Sequence, residues 1–550
     1  MAILAVYDTV GIQSYIFSSN KLSENVGASY LVRDIFGELL PAALYKSLNV
    51  SVPDWRAKKG GKCLPLDLSL PVQIIYQGGG NAFLAFCGEN SEDNFQAATE
   101  MFLEDVNDFA PGVGVAVSAV ETDFGDTYQE DFKKLNKRLA LAKGGFNIPE
   151  FAGNQPITKQ SGRTGLPAHK YVGKDSEFID ANQAKKRDYY DSEVLAKRAG
   201  GIESFNDLVF EKNEDSMIAI IHADGNNMGN NIRVRLESLA TYEIAVPEIR
   251  ELSHKISTCF QGAIKKTKTE FSEAYGAYVK NAKAKNPGKK YQSIPPMVEL
   301  VGDGDDITLA ICGRFAIDYA VRLLKNIESI KDEDRPFPGI RTEACAGVVL
   351  FHSHYPFSEA YKLAESCCSS AKSPSRKCDG SYIDFHLHQT GNVYSLSALR
   401  KNQYILDGKS IIRRPWLVST DVKNSPSPNF AWFKKCFYEF RKVNNGAEDW
   451  PRTKVKGLRN AVALGDWEAN AAVEEARARG KKLPDSEGAG GTADPKLSKY
   501  ALYFDVLEMF DAYEPIIEEH LASKSQTDKS ESQDLGAASE QGEGDGKQTD

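Results

Sequence analysis

The stretch Pro296–Gly313, PMVELVGDGDDITLAICG, gathers carboxylates in a pattern suited to chemistry. Asp303, Asp305 and Asp306 stand on one Gly/Asp turn between two apolar runs, Val298–Val301 and Ile307–Ile311. Apolar runs around such a turn predict a β-hairpin, with Gly304 supplying the positive φ. Like charges held that close repel, and a divalent cation with hard oxygen ligands relieves the repulsion. A further acid, Asp224, follows the apolar run Met217–His222 in SMIAIIHADGNNMG. Asp224, Asp305 and Asp306 together suit Mg2+, which bridges carboxylates to substrate phosphates and favours attack of a hydroxyl on the α-phosphate of a nucleoside triphosphate. Asp305 and Asp306 are the expected catalytic pair. Gly225 and Gly304 would let the backbone approach the phosphates, and Lys372 would neutralise the triphosphate.

Positioning these groups requires a sheet that brings two strand ends together. The region 214–391 predicts one: a strand Met217–His222, a long helical stretch, the hairpin, an amphipathic helix through Phe315, Tyr319, Leu323 and Ile327, a strand Glu343–Phe351, a helix Ser358–Lys372 stopping before Pro374, and a strand at SYIDFHLH. Residues 1–145 repeat the order: a strand Ile3–Tyr7, a helix with Ser29 as N-cap, the paired runs of VQIIYQGGGNAFLAFCG, a helix around Asn94–Phe109, a strand Val113–Val120 and a helix ending at Ala142–Lys143. Both are βαββαβ, ferredoxin-like patterns. GGGN-AFLAFCG aligns without gaps on DGDD-ITLAICG, so the chain carries a duplication. Gly80 and Asn81 replace Asp305 and Asp306, and alignment through Gly11 puts Val10 at Asp224. The first unit therefore reads as the scaffold without catalytic metal. In such a sheet the Asp224 and hairpin strands are neighbours.

Around these units lie a polar connector, 146–213, with some helix near Asp191–Ala199 and no core of its own; a helical C-terminal region, 392–524, ending in a helix Tyr500–His520; and a tail, 525–550, rich in Ser, Gln, Gly and acid that reads as disordered. The fold class is α+β. The 550 residues carry a net charge of −9, but the tail from Gln526 holds seven acids and two lysines, so the body is near balance and gives no whole-chain nucleic-acid signal. No apolar run approaches the roughly 20 residues a membrane helix needs, and MAILAVYDTVGIQSY reads as a buried first strand rather than a signal peptide, so a cytoplasmic protein is expected. The nine cysteines show no C-x-x-C and read as reduced core thiols. His352/His354 and His386/His388 lack a third ligand and read as surface histidines. The run Asp224–Gly229 is no calcium loop, because Met228 takes an oxygen-ligand position and Arg235 stands where the closing Glu belongs. Lys280–Lys290 reads as a solvated loop.

The stretches GIQSYIF…KLSENVGAS, QGGGNAFLAF, IIHADGNNMG, GDGDDITLAI, CAGVVLFHSHYP…AYKLAE…AK and YIDFHLH occur in family order across most of residues 1–390. They resemble the large polymerase-like subunit of type III CRISPR interference complexes, a family with two palm domains. The resemblance implies two palms, a metal-dependent nucleotidyltransferase (Mg2+ or Mn2+) acting on ATP, a cyclic or short oligonucleotide product used in antiviral defence, and CRISPR complex subunits or RNA as partners. The family's G-G-D-D hairpin falls on Asp303-Gly304-Asp305-Asp306, and its D-x-D-N-L-G turn on Asp224–Gly229. Asp303 and Asn226 depart from those motifs. No His-Asp pair occurs in the sequence, so the family's N-terminal HD nuclease is expected to be missing, and ITKQSGRTGLPA resembles the zinc insertion without its cysteines. Two other readings stand beside this one. A catalytically silent paired-palm scaffold would bind nucleotide, RNA or partner subunits, and a diguanylate cyclase relative would take GTP.

Overall fold

The computed structural model describes residues 2–145, 157–173, 175–195, 202–211, 216–389, 395–444, 447–448, 450–492 and 494–525; the acidic tail expected to be disordered lies outside them from Gln526 onward. The first unit begins with β1 (Ala2–Val10), α1 (Ile12–Ile16) and α2 (Leu22–Asp34). Helix α2 starts at Leu22 with Lys21 before it, so Ser29 lies inside the helix and is not its N-cap. The hairpin β2 (Val72–Gly78)–β3 (Asn81–Phe86) follows, then α3 (Ser91–Phe109), β4 (Gly114–Thr122) and α4 (Tyr128–Gly144). The sheet order is β2-β3-β1-β4, antiparallel throughout. Alternation puts Ile3, Ala5 and Tyr7 on one face against α3, and Leu4 and Val6 on the other.

The connector contributes α5 (Ala181–Tyr189) and packs rather than hanging free. Tyr190, Val194, Phe205 and Leu208 join one apolar core with Phe17 and Val26 of the first unit and with Ile218, Phe357 and Tyr361 of the second. Buried Glu24 anchors it by accepting from Arg163 Nη2 (2.5 Å), Arg187 Nε (2.7 Å) and Ser19 Oγ (2.5 Å). The segment that lacks thiols is thus held by ion pairs. Paired arginines around one carboxylate are what a buried charge requires.

The second unit runs β5 (Met217–Gly225), α6 (Met228–Glu237), α7 (Tyr242–Lys285), β6 (Met297–Asp303), β7 (Asp306–Cys312), α8 (Ala316–Glu328), β8 (Ala344–His352), α9 (Phe357–Ser375) and β9 (Tyr382–Leu387), with β10 (Trp416–Leu417) at the edge. Its order is β6-β7-β5-β8-β9-β10. The 44-residue α7 starts on the first unit, where Tyr242, Ala245 and Val246 cover Leu4 and Val6, and continues under the second sheet. Most of Lys280–Lys290 is thus the end of this helix. Helix α9 runs on past Lys372 with Pro374 in its last turn, beyond the stop that proline suggests. The last expected helix breaks at residues 510–515 and resumes at 516. His386 and His388 are buried, at 0% and 4% exposure, because β9 is an interior strand covered by the C-terminal region; His352 and His354 are exposed. Among the described residues no helix is long and apolar enough to cross a membrane.

Candidate active site at the second hairpin

Hairpin β6–β7 closes on two residues, Gly304 and Asp305, with Asp303 opposite Asp306. Gly304 takes the left-handed φ of 64°, and Asp305 does not enter that region, so the turn needs one glycine and leaves its second corner free for a side chain. Strand β7 pairs with β5 so that Asp306 lies directly opposite Asp224. The neighbour relation read from the sequence brings the three acids together.

Their packing is close. A Cβ on Gly225 would lie 2.7 Å from Met228 Cγ and 3.0 Å from Asp305 Cβ. Gly225 therefore lets the hairpin tip and α6 approach β5, and the space it leaves is filled by protein rather than open to a phosphate. Gly304 has nothing within 4 Å of its missing Cβ and serves the turn. Burial, then the charge of Asp224, pushes the Asp305 carboxyl up; the same causes with Asp305 and Glu365 added push Asp306 up to about 7. Asp306 Oδ1 lacks a hydrogen-bond partner and is shut off from solvent. His222 Nδ1 lies 3.4 Å from it and 3.0 Å from Thr308 Oγ1, and burial holds this imidazole down to about 4, in its neutral form.

Lys372, on the last full turn of α9, reaches Asp224 Oδ2 at 2.5 Å and donates to Gly225 O at 3.4 Å. The expected cation beside the acids is present, paired to one of them. Asn226, which stands where the family motif has Asp, donates from Nδ2 to Gly380 O at 2.9 Å. That departure serves the strand's packing. An amide can satisfy the carbonyl where a carboxylate would repel it.

A cavity of about 800 Å3 opens between the units. Asp306, Tyr361 and Glu365 form its second-unit wall; Asp8, Asn81 and Lys143 belong to the facing wall. Phe17 and Tyr361 stack at 3.9 Å along it. Asp224, Asp305 and Lys372 sit outside its lining. A smaller cavity near the C-terminal region has Arg400 and Arg414 in its wall, but Asp384 and Asp505 already pair with them.

The first-unit wall corrects one sequence alignment. Asp8 lies opposite Asn81 just as Asp224 lies opposite Asp306. Gly11 and Asn227, both left-handed, each precede a helix, so the two strand ends correspond as Asp8–Gly11 to Asp224–Asn227. Val10 is not the counterpart of Asp224; Asp8 is, and Lys143 Nζ pairs with it at 2.7 Å. The first unit has thus lost the two hairpin acids and kept the strand-end acid. Glycine is a poor anchor for such an alignment where Asn can adopt the same φ.

Residues 217–378 match the family described as Cas10/Cmr2, second palm domain. The second unit is a palm of the Cas10/Cmr2 kind. Similar solved structures include the Csm1-Csm4 cassette in complex with AMPPNP (TM-score 0.50, 13% identity, 94% of this chain and 69% of that chain). Two others are the Csm1-Csm4 subcomplex in the type III-A CRISPR-Csm interference complex (0.50, 13%, 93% and 69%) and Csm1 in T. onnurineus (0.50, 12%, 92% and 69%). At these identities the likeness is one of fold, and it extends over both units of the chain. A search of curated proteins gives no match.

The palm's donor set fits a hard divalent cation in kind: three converging carboxylates, two of them raised by burial and then by neighbouring acids, and one with an unpartnered oxygen. Among the described residues, however, no three His, Cys, Asp or Glu side chains stand in a ready metal cluster.

Proposed function

We propose that the chain is a nucleotidyltransferase that joins ATP through the second palm, making a cyclic or short oligonucleotide signal within CRISPR-linked antiviral defence. The observation that carries this reading is the convergence of Asp224, Asp305 and Asp306 on adjoining strand ends, with Asp306 facing a cavity large enough for nucleotides between the palms. The AMPPNP bound to a Csm1-Csm4 cassette of the same fold supports ATP as the substrate, and the type III-A complex supports CRISPR subunits as partners.

In this mechanism Asp224, Asp305 and Asp306 would hold Mg2+ or Mn2+, which supplies charge neutralisation at the phosphates and activation of the attacking hydroxyl. Lys372, paired to Asp224, would neutralise the triphosphate once freed from it. The first palm faces the acids across the cavity, with Asp8, Asn81 and Lys143 on its wall.

The expected result is pyrophosphate release from ATP with Mg2+ or Mn2+, lost in Asp305→Ala/Asp306→Ala. Release that survives the double substitution would overturn the assignment of these acids. The lack of a ready metal cluster favours a second reading, a catalytically silent scaffold; bound ATP with no pyrophosphate, even with partner subunits and RNA supplied, is its signature. Preference for GTP over ATP in the same assay would point to the cyclase alternative.

A further inference from the structure

Three acids converge in the second palm, yet only Asp224 holds a cation of the protein's own. Lys372 Nζ sits 2.5 Å from Asp224 Oδ2 and 3.4 Å from Gly225 O, with both side chains partly exposed. Asp306 Oδ1 is enclosed and without a hydrogen bond. We infer that Lys372 is a built-in counter-ion that occupies Asp224 while the palm is empty and exchanges it for a divalent cation when a nucleoside triphosphate arrives. This rests on the reading of the three acids as a cation site.

Charge and reach both support the exchange. One ammonium against three carboxylates leaves the group short of positive charge, so Asp305 and Asp306 stay crowded while Asp224 is satisfied. Among the described residues the acids do not stand as a ready three-ligand cluster. A divalent cation would compete with Lys372 for the same oxygen. Its entry is disfavoured until the ammonium has another anion to go to, and a triphosphate provides one. Lysine suits this duty because its charge rides on a flexible four-carbon stem. Charge is conserved across the exchange, the metal going to the acids and the ammonium to the phosphates. Cation and nucleotide binding become coupled, since each is weak without the other.

The first palm carries the pair without the neighbouring acids. Lys143 holds Asp8 at 2.7 Å, beside Gly80 and Asn81 where the second palm has Asp305 and Asp306. A helix-end lysine closing a strand-end aspartate is thus a property of both palms. In the second, two extra carboxylates give a divalent cation reason to displace it.

The experiment is Mn2+ binding to the full chain without nucleotide, read by electron paramagnetic resonance. Lys372→Met is expected to bind Mn2+ about tenfold more tightly than the wild type, while Lys372→Arg, which keeps the charge, stays within about threefold. In the same Lys372→Met protein, AMPPNP binding with Mn2+ is expected to weaken by about tenfold. If Lys372→Met melts below the assay temperature, Lys372→Gln replaces it. Equal or weaker Mn2+ affinity in the neutral variants overturns the counter-ion role. Tighter Mn2+ with unchanged AMPPNP affinity overturns the exchange. Mn2+ that binds the wild type and the variants alike, and is lost in Asp305→Asn, keeps the cation site and removes only the inference. No Mn2+ on any of them, with AMPPNP present, overturns the cation site itself.

Discussion

The two palms share the order of four strands and the same kind of Lys–Asp pair, and their hairpin turns differ. In the first hairpin Gly79 and Gly80 both take positive φ, 60° and 79°, between Gly78 and Asn81. Both corners are left-handed, the type I′ pattern that favours Gly, Asn or Asp. In the second only Gly304 does, so Asp305 occupies a corner that any L-residue tolerates. Crowding at Gly80, whose missing Cβ would meet Ile12 and Thr9, adds to the strain of its left-handed corner against a carboxylate at the first hairpin's tip. The tip of the first palm is also tied down, with Thr9 donating from both its amide (2.9 Å) and its hydroxyl (2.7 Å) to Gly80 O. One copy spends its turn on a locked, neutral tip, and the other spends it on acids whose repulsion costs stability. Such a cost, retained in one copy and absent from its twin, marks a chemical duty.

The largest test of that contrast is catalytic. Asp306→Asn is nearly the same shape and resembles Asn81 of the first palm, so the fold should persist. Pyrophosphate release is expected to fall by about a thousandfold or more, the scale of losing an electrostatic group at a phosphoryl-transfer site. Steady-state release with thermal melting as the fold control checks it; loss under tenfold would make the two hairpins equivalent. The next test runs the other way. Gly80→Asp with Asn81→Asp copies the acids into the first palm, but a Cβ on Gly80 would lie 2.2 Å from Ile12 Cδ1 and 2.6 Å from Thr9 Oγ1, at a φ of 79°. Strain and crowding are expected to cost about 2–3 kcal/mol in chemical denaturation, with no new Mn2+ site. A stable double variant that gains a Mn2+ site would show that turn geometry was not the barrier.

Much of this was legible from residue patterns, for identifiable reasons. Alternating apolar runs around Gly/Asp turns fix hairpins, and in βαββαβ the first strand neighbours the hairpin, so the meeting of Asp224 with Asp306 follows. The offset between strand ends was not legible, because Gly11 looks like Gly225 while its partner in conformation is Asn227. The pairing of Lys372 with Asp224 depends on how far α9 runs, and that helix continues through Pro374. Burial of His386 and His388 depends on a C-terminal cover that alternation within one strand cannot reveal. Asp8 and Lys143 were visible as residues but not as a wall of the inter-palm cavity, since that wall exists only after the units dock.

The smallest contrast is in stability against pH, without divalent cation. The Asp306 carboxyl stands at about 7 in the folded palm, against about 4 in an unfolded chain. The folded state therefore binds this proton more tightly. Its contribution is complete below pH 4, declines as pH rises from 4 to 7, and is flat above 7, the reverse of a salt-bridged aspartate. A full shift of that size corresponds to about 4 kcal/mol, but the side chain is 41% exposed, and screening by solvent reduces it to about 1–2 kcal/mol. Asn81, in the same place in the first palm, cannot titrate. In chelator-treated protein the melting temperature of the wild type is expected to fall by about 3 °C more than that of Asp306→Asn between pH 5 and 7.5. Millimolar Mg2+ with AMPPNP should abolish that excess, because a cation at the acids removes the penalty for ionising Asp306. An excess that persists with Mg2+ and AMPPNP would place the titration outside the cation site, and parallel melting curves for the two proteins would mean that the second hairpin is as free of charge strain as the first.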